Sequence, residues 1–164
     1  MVRPLSIQAL DLSTDECPAA ALTANEPKDP LALSVKDLEH TLSINTTSVL
    51  AAAHEAVTDF SQLPATASKT FIYTGNRLNI APIAPLLSLG IGKSATAHLI
   101  HSASEAYKEK GFKFYYADER KADGAPAFAI DGDAHGEVYS QLAESEGQGP
   151  WLATFVKGKG RVDF

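Results

Sequence analysis

The run Phe71-Ile72-Tyr73-Thr74 constrains the fold of this chain more than any other feature. It lacks the apolar-polar alternation of a half-solvated strand and stops at Gly75-Asn76. It therefore reads as a strand covered on both faces, the condition of a parallel sheet packed between helices. Parallel strands need long crossovers, and helical patterns flank the run on both sides. Ser34 reads as a helix N-cap with Asp37 three residues on, and Leu38, Leu42, Val49, Leu50, Ala53, Val57 and Phe60 follow at helical spacing. Leu99, Ile100, Ala103, Ala106 and Tyr107 mark a second helix from about Ser88 to Lys110, closed by Lys108, Lys110 and Gly111. Phe112 to Tyr116 reads as a strand, Asp133 to Glu144 as a helix and Trp151 to Val156 as a last strand. Near the start, Leu5-Ser6-Ile7-Gln8-Ala9-Leu10 alternates and ends at Asp11-Leu12-Ser13, as a short strand would. Residues 13–33, with Pro18, Pro27 and Pro30 and no periodicity, read as loop. The alternation of strands and helices predicts an α/β fold, an open parallel sheet flanked by helices with right-handed crossovers.

At 164 residues the chain is expected to form one domain, residues 1–164. Its formal charge of -6, from 14 basic and 20 acidic residues, argues against nucleic acid or an anionic lipid surface as partner. No apolar run approaches membrane-spanning or signal-peptide length, and a single cysteine, Cys17, permits no internal disulfide, so a cytoplasmic protein is expected. In that compartment the sequon Asn45-Thr46-Thr47 stays unmodified.

Ligands of open α/β sheets sit beyond the carboxyl ends of the strands, which directs attention to Asp11-Leu12-Ser13, Gly75-Asn76-Arg77 and Ala117-Asp118-Glu119-Arg120. Several motifs fail on spacing. Gly92-Lys93-Ser94 imitates a phosphate-binding loop, but the required Gly is replaced by Leu87. Asp131, Asp133 and His135-Gly136 imitate a calcium loop, but its last ligand position is Leu142, so Asp131 or Asp133 reads as a helix cap. His98 and His101 are close enough on one helix to share a metal, with no third ligand, and no metal site is expected. Lys157, Lys159 and Arg161 read as a solvated strand end. Lys93 stands out because a cation in the first turn of a helix opposes the helix dipole.

Several segments together resemble the short-chain dehydrogenases/reductases, in a divergent branch of fungal type. These are Leu42-Ser43-Ile44-Asn45, the strand and turn Phe71 to Gly75, Gly92-Lys93-Ser94-Ala95, Tyr115-Tyr116-Ala117-Asp118-Glu119-Arg120 and Gly149-Pro150-Trp151. Arg3 to Ser13 resembles the family's third strand, ending in Asp11, and Ala19 to Thr23 resembles the stretch after its fourth strand, with Pro18 at the usual Asn position. The glycine-rich Thr-Gly-x-x-x-Gly-x-Gly loop is absent, and a helix and strand of the family are missing between Cys17 and Pro18. By this resemblance the chain is an incomplete domain, a partial Rossmann-like, doubly wound parallel sheet flanked by helices, that needs rearrangement, a partner or a second copy to stay folded.

The resemblance implies an NAD(P)-dependent oxidoreductase acting on a small carbonyl or alcohol. It places Asn45 and Lys93 in catalytic positions and Asp11, Lys93, Thr74 and Gly75 at the cofactor. Asn76, Leu89 and Asp118 fall in the substrate cleft. The family's proton-donating Tyr falls on Leu89, which has no proton to give, and its carbonyl-orienting Ser on Gly75. Ser88, Tyr73 or a water would have to stand in. The alternatives are a catalytically inactive homologue kept as an interaction module and a non-redox isomerase or cyclase using the same cleft.

Overall fold

The computed structural model describes residues 29–164. Asp11, the expected strand at residues 5–10, the junction of Cys17 with Pro18 and most of the expected loop 13–33 lie outside the described residues. Within them the chain is a parallel sheet between two helical layers. Helix α1 (Val35–Leu42) is capped by Ser34, whose hydroxyl accepts from the Asp37 backbone N–H at 3.1 Å. It continues through one π turn, Ser43–Thr47, into α2 (Ser48–Gln62). Strand β1 (Lys69–Thr74) is followed by α3 (Leu87–Tyr107), which ends in a short 3-10 turn at Gly111, where a φ of 71° suits glycine. Then come β2 (Phe112–Arg120), α4 (Gly132–Glu144) capped by Asp131, β3 (Leu152–Val156) and the short β4 (Gly160–Arg161).

The sheet order is β1-β2-β3-β4. β1 and β3 both pair parallel with β2, in register Lys69↔Phe112 and Tyr116↔Leu152, and β4 turns back antiparallel on β3. Side chains alternate across the strands, so the two faces carry different cores. Phe112, Phe114 and Tyr116 face α2 and α3, where they meet Ala53, Phe60, Ala97 and Ile100. Tyr115 and Ala117 face the other way, onto Ala134, Val138 and Leu142 of α4 and onto Ala153 and Phe155. Each large side chain in these layers contributes about 1.5–3 kcal/mol by leaving water, and together they fix the register that brings the carboxyl ends of β1 and β2 level with the first turns of α3.

Two expectations change. Ala117-Asp118-Glu119-Arg120 is not a loop beyond a strand but the second half of β2, paired with β3 and buried throughout. Charge in a central strand survives because each group is met. Arg120 Nε donates to Asp118 Oδ2 at 2.7 Å, and Glu119 accepts from the Asp131 backbone N–H at 2.8 Å, with His135 Nδ1 at 3.5 Å. Lys93 is not a solvated first-turn lysine either: α3 begins at Leu87, so Lys93 sits in the second turn, 6% exposed.

Candidate active site

The site forms where α3 crosses the π turn. That crossing requires a glycine, because a Cβ on Gly92 would lie 2.9 Å from the Asn45 Cβ. Gly92 is thus a packing device between α3 and the π turn. Thr46 Oγ1 donates to the Gly92 carbonyl at 3.3 Å, and Thr96 Oγ1 donates to the Asn45 carbonyl at 2.6 Å. The π turn presents Asn45, 1% exposed, to α3. Such bulges often mark functional positions, and neither the sequence spacing nor its hydrophobic pattern announces this one.

Close packing at Gly92 sends the next side chain, Lys93, across to β1. Its ammonium donates to the Tyr73 hydroxyl at 2.8 Å and to the Thr74 carbonyl at 3.1 Å, and lies 4.5 Å from the Tyr73 ring centroid. Burial, partly offset by the Asp118 carboxylate, pushes the Lys93 pKa from 10.5 down to about 8. Burial likewise holds the Tyr73 phenol at about 12, against a hydrogen bond with the Thr96 hydroxyl that favours ionisation. The Tyr73 hydroxyl thus lies between the Lys93 ammonium and the Thr96 hydroxyl, which itself donates to the Asn45 carbonyl.

At the end of β1, Gly75 still donates into the sheet, to the Ala117 carbonyl at 2.7 Å. A Cβ there would fall 1.9 Å from the Tyr116 ring, so the space of any side chain at this position is filled by Tyr116. That ring is fixed, since its hydroxyl donates to the Asn76 carbonyl at 2.8 Å and accepts from the Asn76 N–H at 3.1 Å. Asn76 turns its own side-chain oxygen to the Leu78 N–H at 3.0 Å, capping the turn Arg77–Asn79. Leu89 lies half-buried on α3. Ser88 is fully buried. Asp118 faces α3 on the same side of the sheet as Tyr73. Desolvation raises its carboxyl pKa while Arg120, Arg77 and Lys93 draw it back, and its Oδ1 is buried without a hydrogen-bond partner.

The fold thus brings Asn45, Lys93, Thr74, Gly75, Asn76 and Asp118 to one end of the sheet. Tyr73 and Thr96 join them there. Sequence reasoning named Tyr73 only as one of three stand-ins and missed Thr96, because neither lies at a fixed offset from Lys93 on the family pattern. The signal available was β1 alternation, which puts Tyr73 on the same face as Gly75. His101, by contrast, stacks on Trp151 at 4.6 Å rather than meeting a metal ligand, and among the described residues no cluster of three metal-binding side chains occurs.

No protein-family model matches the chain. A curated protein from Cryptosporiopsis sp. (strain 8999), the short chain dehydrogenase/reductase dmxR12, is 50% identical over 147 residues, which are 89% of this chain and 60% of that protein. Among solved structures, a short-chain dehydrogenase/reductase from Serratia marcescens superposes with a TM-score of 0.62 at 17% identity, covering 87% of this chain and 63% of that one. A 4-hydroxyisoleucine dehydrogenase complexed with NADH and succinate superposes with a TM-score of 0.63 at 10% identity, over 85% of this chain and 65% of that one. The chain therefore spans under two thirds of the length of the relatives it matches. Over that span, with half of its aligned residues shared with a curated relative and the same α/β fold as solved members, it belongs to the short-chain dehydrogenase/reductase family.

Proposed function

We propose that this chain forms the substrate side of an NAD(P)-dependent oxidoreductase that reduces small carbonyl compounds. The observation that carries the reading is the Lys93 ammonium, held at the carboxyl end of β1 at 6% exposure and hydrogen-bonded to the Tyr73 hydroxyl. A buried cation with a depressed pKa is costly to keep for structure alone and is common at catalytic sites.

The residues present fit the nicotinamide-ribose end of such a cofactor. Lys93 offers an ammonium donor, and the unpartnered Asp118 Oδ1 offers an acceptor on the same face. The described residues provide no glycine-rich turn for the pyrophosphate. Bound cofactor would supply hydride at the carbonyl carbon. The chain's own contribution is to hold the ribose with Lys93, to exclude water with Tyr116 and Leu89, and to keep a network of hydroxyls ready to move a proton. Titration with NADPH and with NADH, followed by the fluorescence of the single tryptophan, Trp151, tests the reading. Saturable binding that is lost in Lys93→Ala is expected. Absence of binding to both cofactors at millimolar concentration would refute it.

A second reading, an inactive homologue that serves as an interaction module, draws support from Val35 and Leu50, which are 71% and 56% exposed on α1 and α2. It requires concentration-dependent association in sedimentation experiments, and a monomer at all concentrations would exclude it. Among the described residues no helix is long and apolar enough to cross a membrane.

A further inference from the structure

We infer that Tyr73 is the proton donor of this site, taking over from β1 the task that Leu89 leaves unfilled on α3. The inference rests on the reductase reading above and deepens it. Three observations converge on the Tyr73 hydroxyl. It lies 2.8 Å from the Lys93 ammonium, within the range of a charge-assisted hydrogen bond. The Thr96 hydroxyl stands beside it and favours its ionised form. It also projects from the penultimate residue of β1 on the same face as Gly75, at the strand end where ligands of open α/β sheets bind.

A purely structural Tyr73 would need only to satisfy Lys93, and the carbonyl of Thr74 already accepts from that ammonium. The Thr96 hydroxyl adds nothing to that task, yet it favours the phenolate that proton transfer leaves behind. Burial keeps the phenol protonated at neutral pH, the form that can give a proton to a carbonyl oxygen.

The step balances as follows in atoms and electrons. The substrate carbonyl carbon gains hydride from the reduced nicotinamide cofactor, which leaves oxidised. The carbonyl π pair moves to oxygen, and the oxygen takes the Tyr73 proton. The Tyr73 oxygen regains a proton from Lys93 across their hydrogen bond, and Lys93 recovers one from solvent. The products are the alcohol and the oxidised cofactor.

Four proteins test the inference: the native chain, Tyr73→Phe, Leu89→Tyr and the double variant. NADPH binding is read by fluorescence and reduction by turnover of 4-nitrobenzaldehyde and 2,3-butanedione. Tyr73→Phe is expected to bind NADPH as the native chain does and to reduce both probes on the order of 10²- to 10⁴-fold more slowly, the usual loss of a positioned acid. Leu89→Tyr places a phenol one helical turn before Lys93 and is expected to restore at least about tenfold of that loss in the double variant. A readout without cofactor accompanies these: the pH dependence of Lys93 acetylation, read by peptide mass spectrometry, is expected to shift to lower pH in Tyr73→Phe because the ammonium loses an acceptor. Should Tyr73→Phe fail to fold, fluorotyrosine incorporated at all five tyrosines keeps the shape and acidifies the phenol, and the reduction rate must change with it. Unchanged turnover in Tyr73→Phe with binding intact overturns the assignment and leaves the reductase reading standing. A native chain that binds NADPH but reduces neither probe also counts against Tyr73. A chain that binds neither NADPH nor NADH ends both.

Discussion

Replacing Lys93 with methionine should raise stability at neutral pH, and the size and pH dependence of the gain can be worked from the geometry. Burial brings the folded-state pKa from 10.5 to about 8. At about 1.4 kcal/mol per pH unit, keeping the ammonium charged at neutral pH therefore costs roughly 3 kcal/mol. Methionine fills nearly the same volume without that cost. It forfeits the bond to the Thr74 carbonyl, about 1 kcal/mol, while Tyr73 retains Thr96. The net expectation is a gain of about 2 kcal/mol at neutral pH, or roughly 4–8 °C in Tm for a chain of this size.

The sign follows from proton linkage. Unfolded Lys93 takes up its proton as pH falls through 10.5, and the folded chain only through about 8. Native stability therefore rises with pH across that window relative to a variant with no group to titrate. Thermal melts of native and Lys93→Met protein from neutral to alkaline pH should show the variant ahead at neutral pH and level or slightly behind by pH 10.5. Because both proteins share every other titrating group, the difference isolates Lys93. A variant that is less stable at neutral pH, by an amount that does not vary with pH, would refute the account of Lys93 as a strained site residue.

Three further outcomes are expected. Gly75→Ala drives a methyl into the Tyr116 ring, which two bonds to Asn76 hold in place, and should cost roughly 1–3 kcal/mol in urea unfolding despite the chemically small change. Lys113 donates to the carbonyls of Leu142, Ala143 and Ser145, closing the carboxyl end of α4, so Lys113→Met should lower stability by about 2 kcal/mol and raise hydrogen exchange in the last turn of α4. Asp118→Leu strands Arg120 in the sheet and should cost on the order of 3–5 kcal/mol, while joining it to Arg120→Leu should recover most of that loss in a double-mutant cycle.

The elements that depend on local chemistry were legible in the sequence. Ser34 and Asp131 cap the helices their positions announce, Gly111 closes α3 in the left-handed region, and the unalternating run at Phe71 is a strand half-buried on both faces at the edge of the described sheet. What stayed hidden depends on contacts between distant segments. Asp118, Glu119 and Arg120 read as lying beyond a strand ending at Tyr116, whereas they continue it, and Asp131, His135 and the Asp118–Arg120 pair make three adjacent charges tolerable there. The partner of Lys93 was sought one helical turn away at Leu89, whereas it comes from β1, 20 residues earlier in the chain. The π turn at Asn45 follows from the close crossing at Gly92, which no periodicity encodes.

The central claim is that this end of the sheet reduces a carbonyl beside Lys93. Incubation with NADPH deuterated at the transferred C4 position and 4-nitrobenzaldehyde, with mass spectrometry of the product, tests it most directly. The account requires an alcohol carrying a single deuterium at carbon from the native chain and none from Lys93→Ala. Unlabelled alcohol, or no alcohol from a folded native chain, would contradict it.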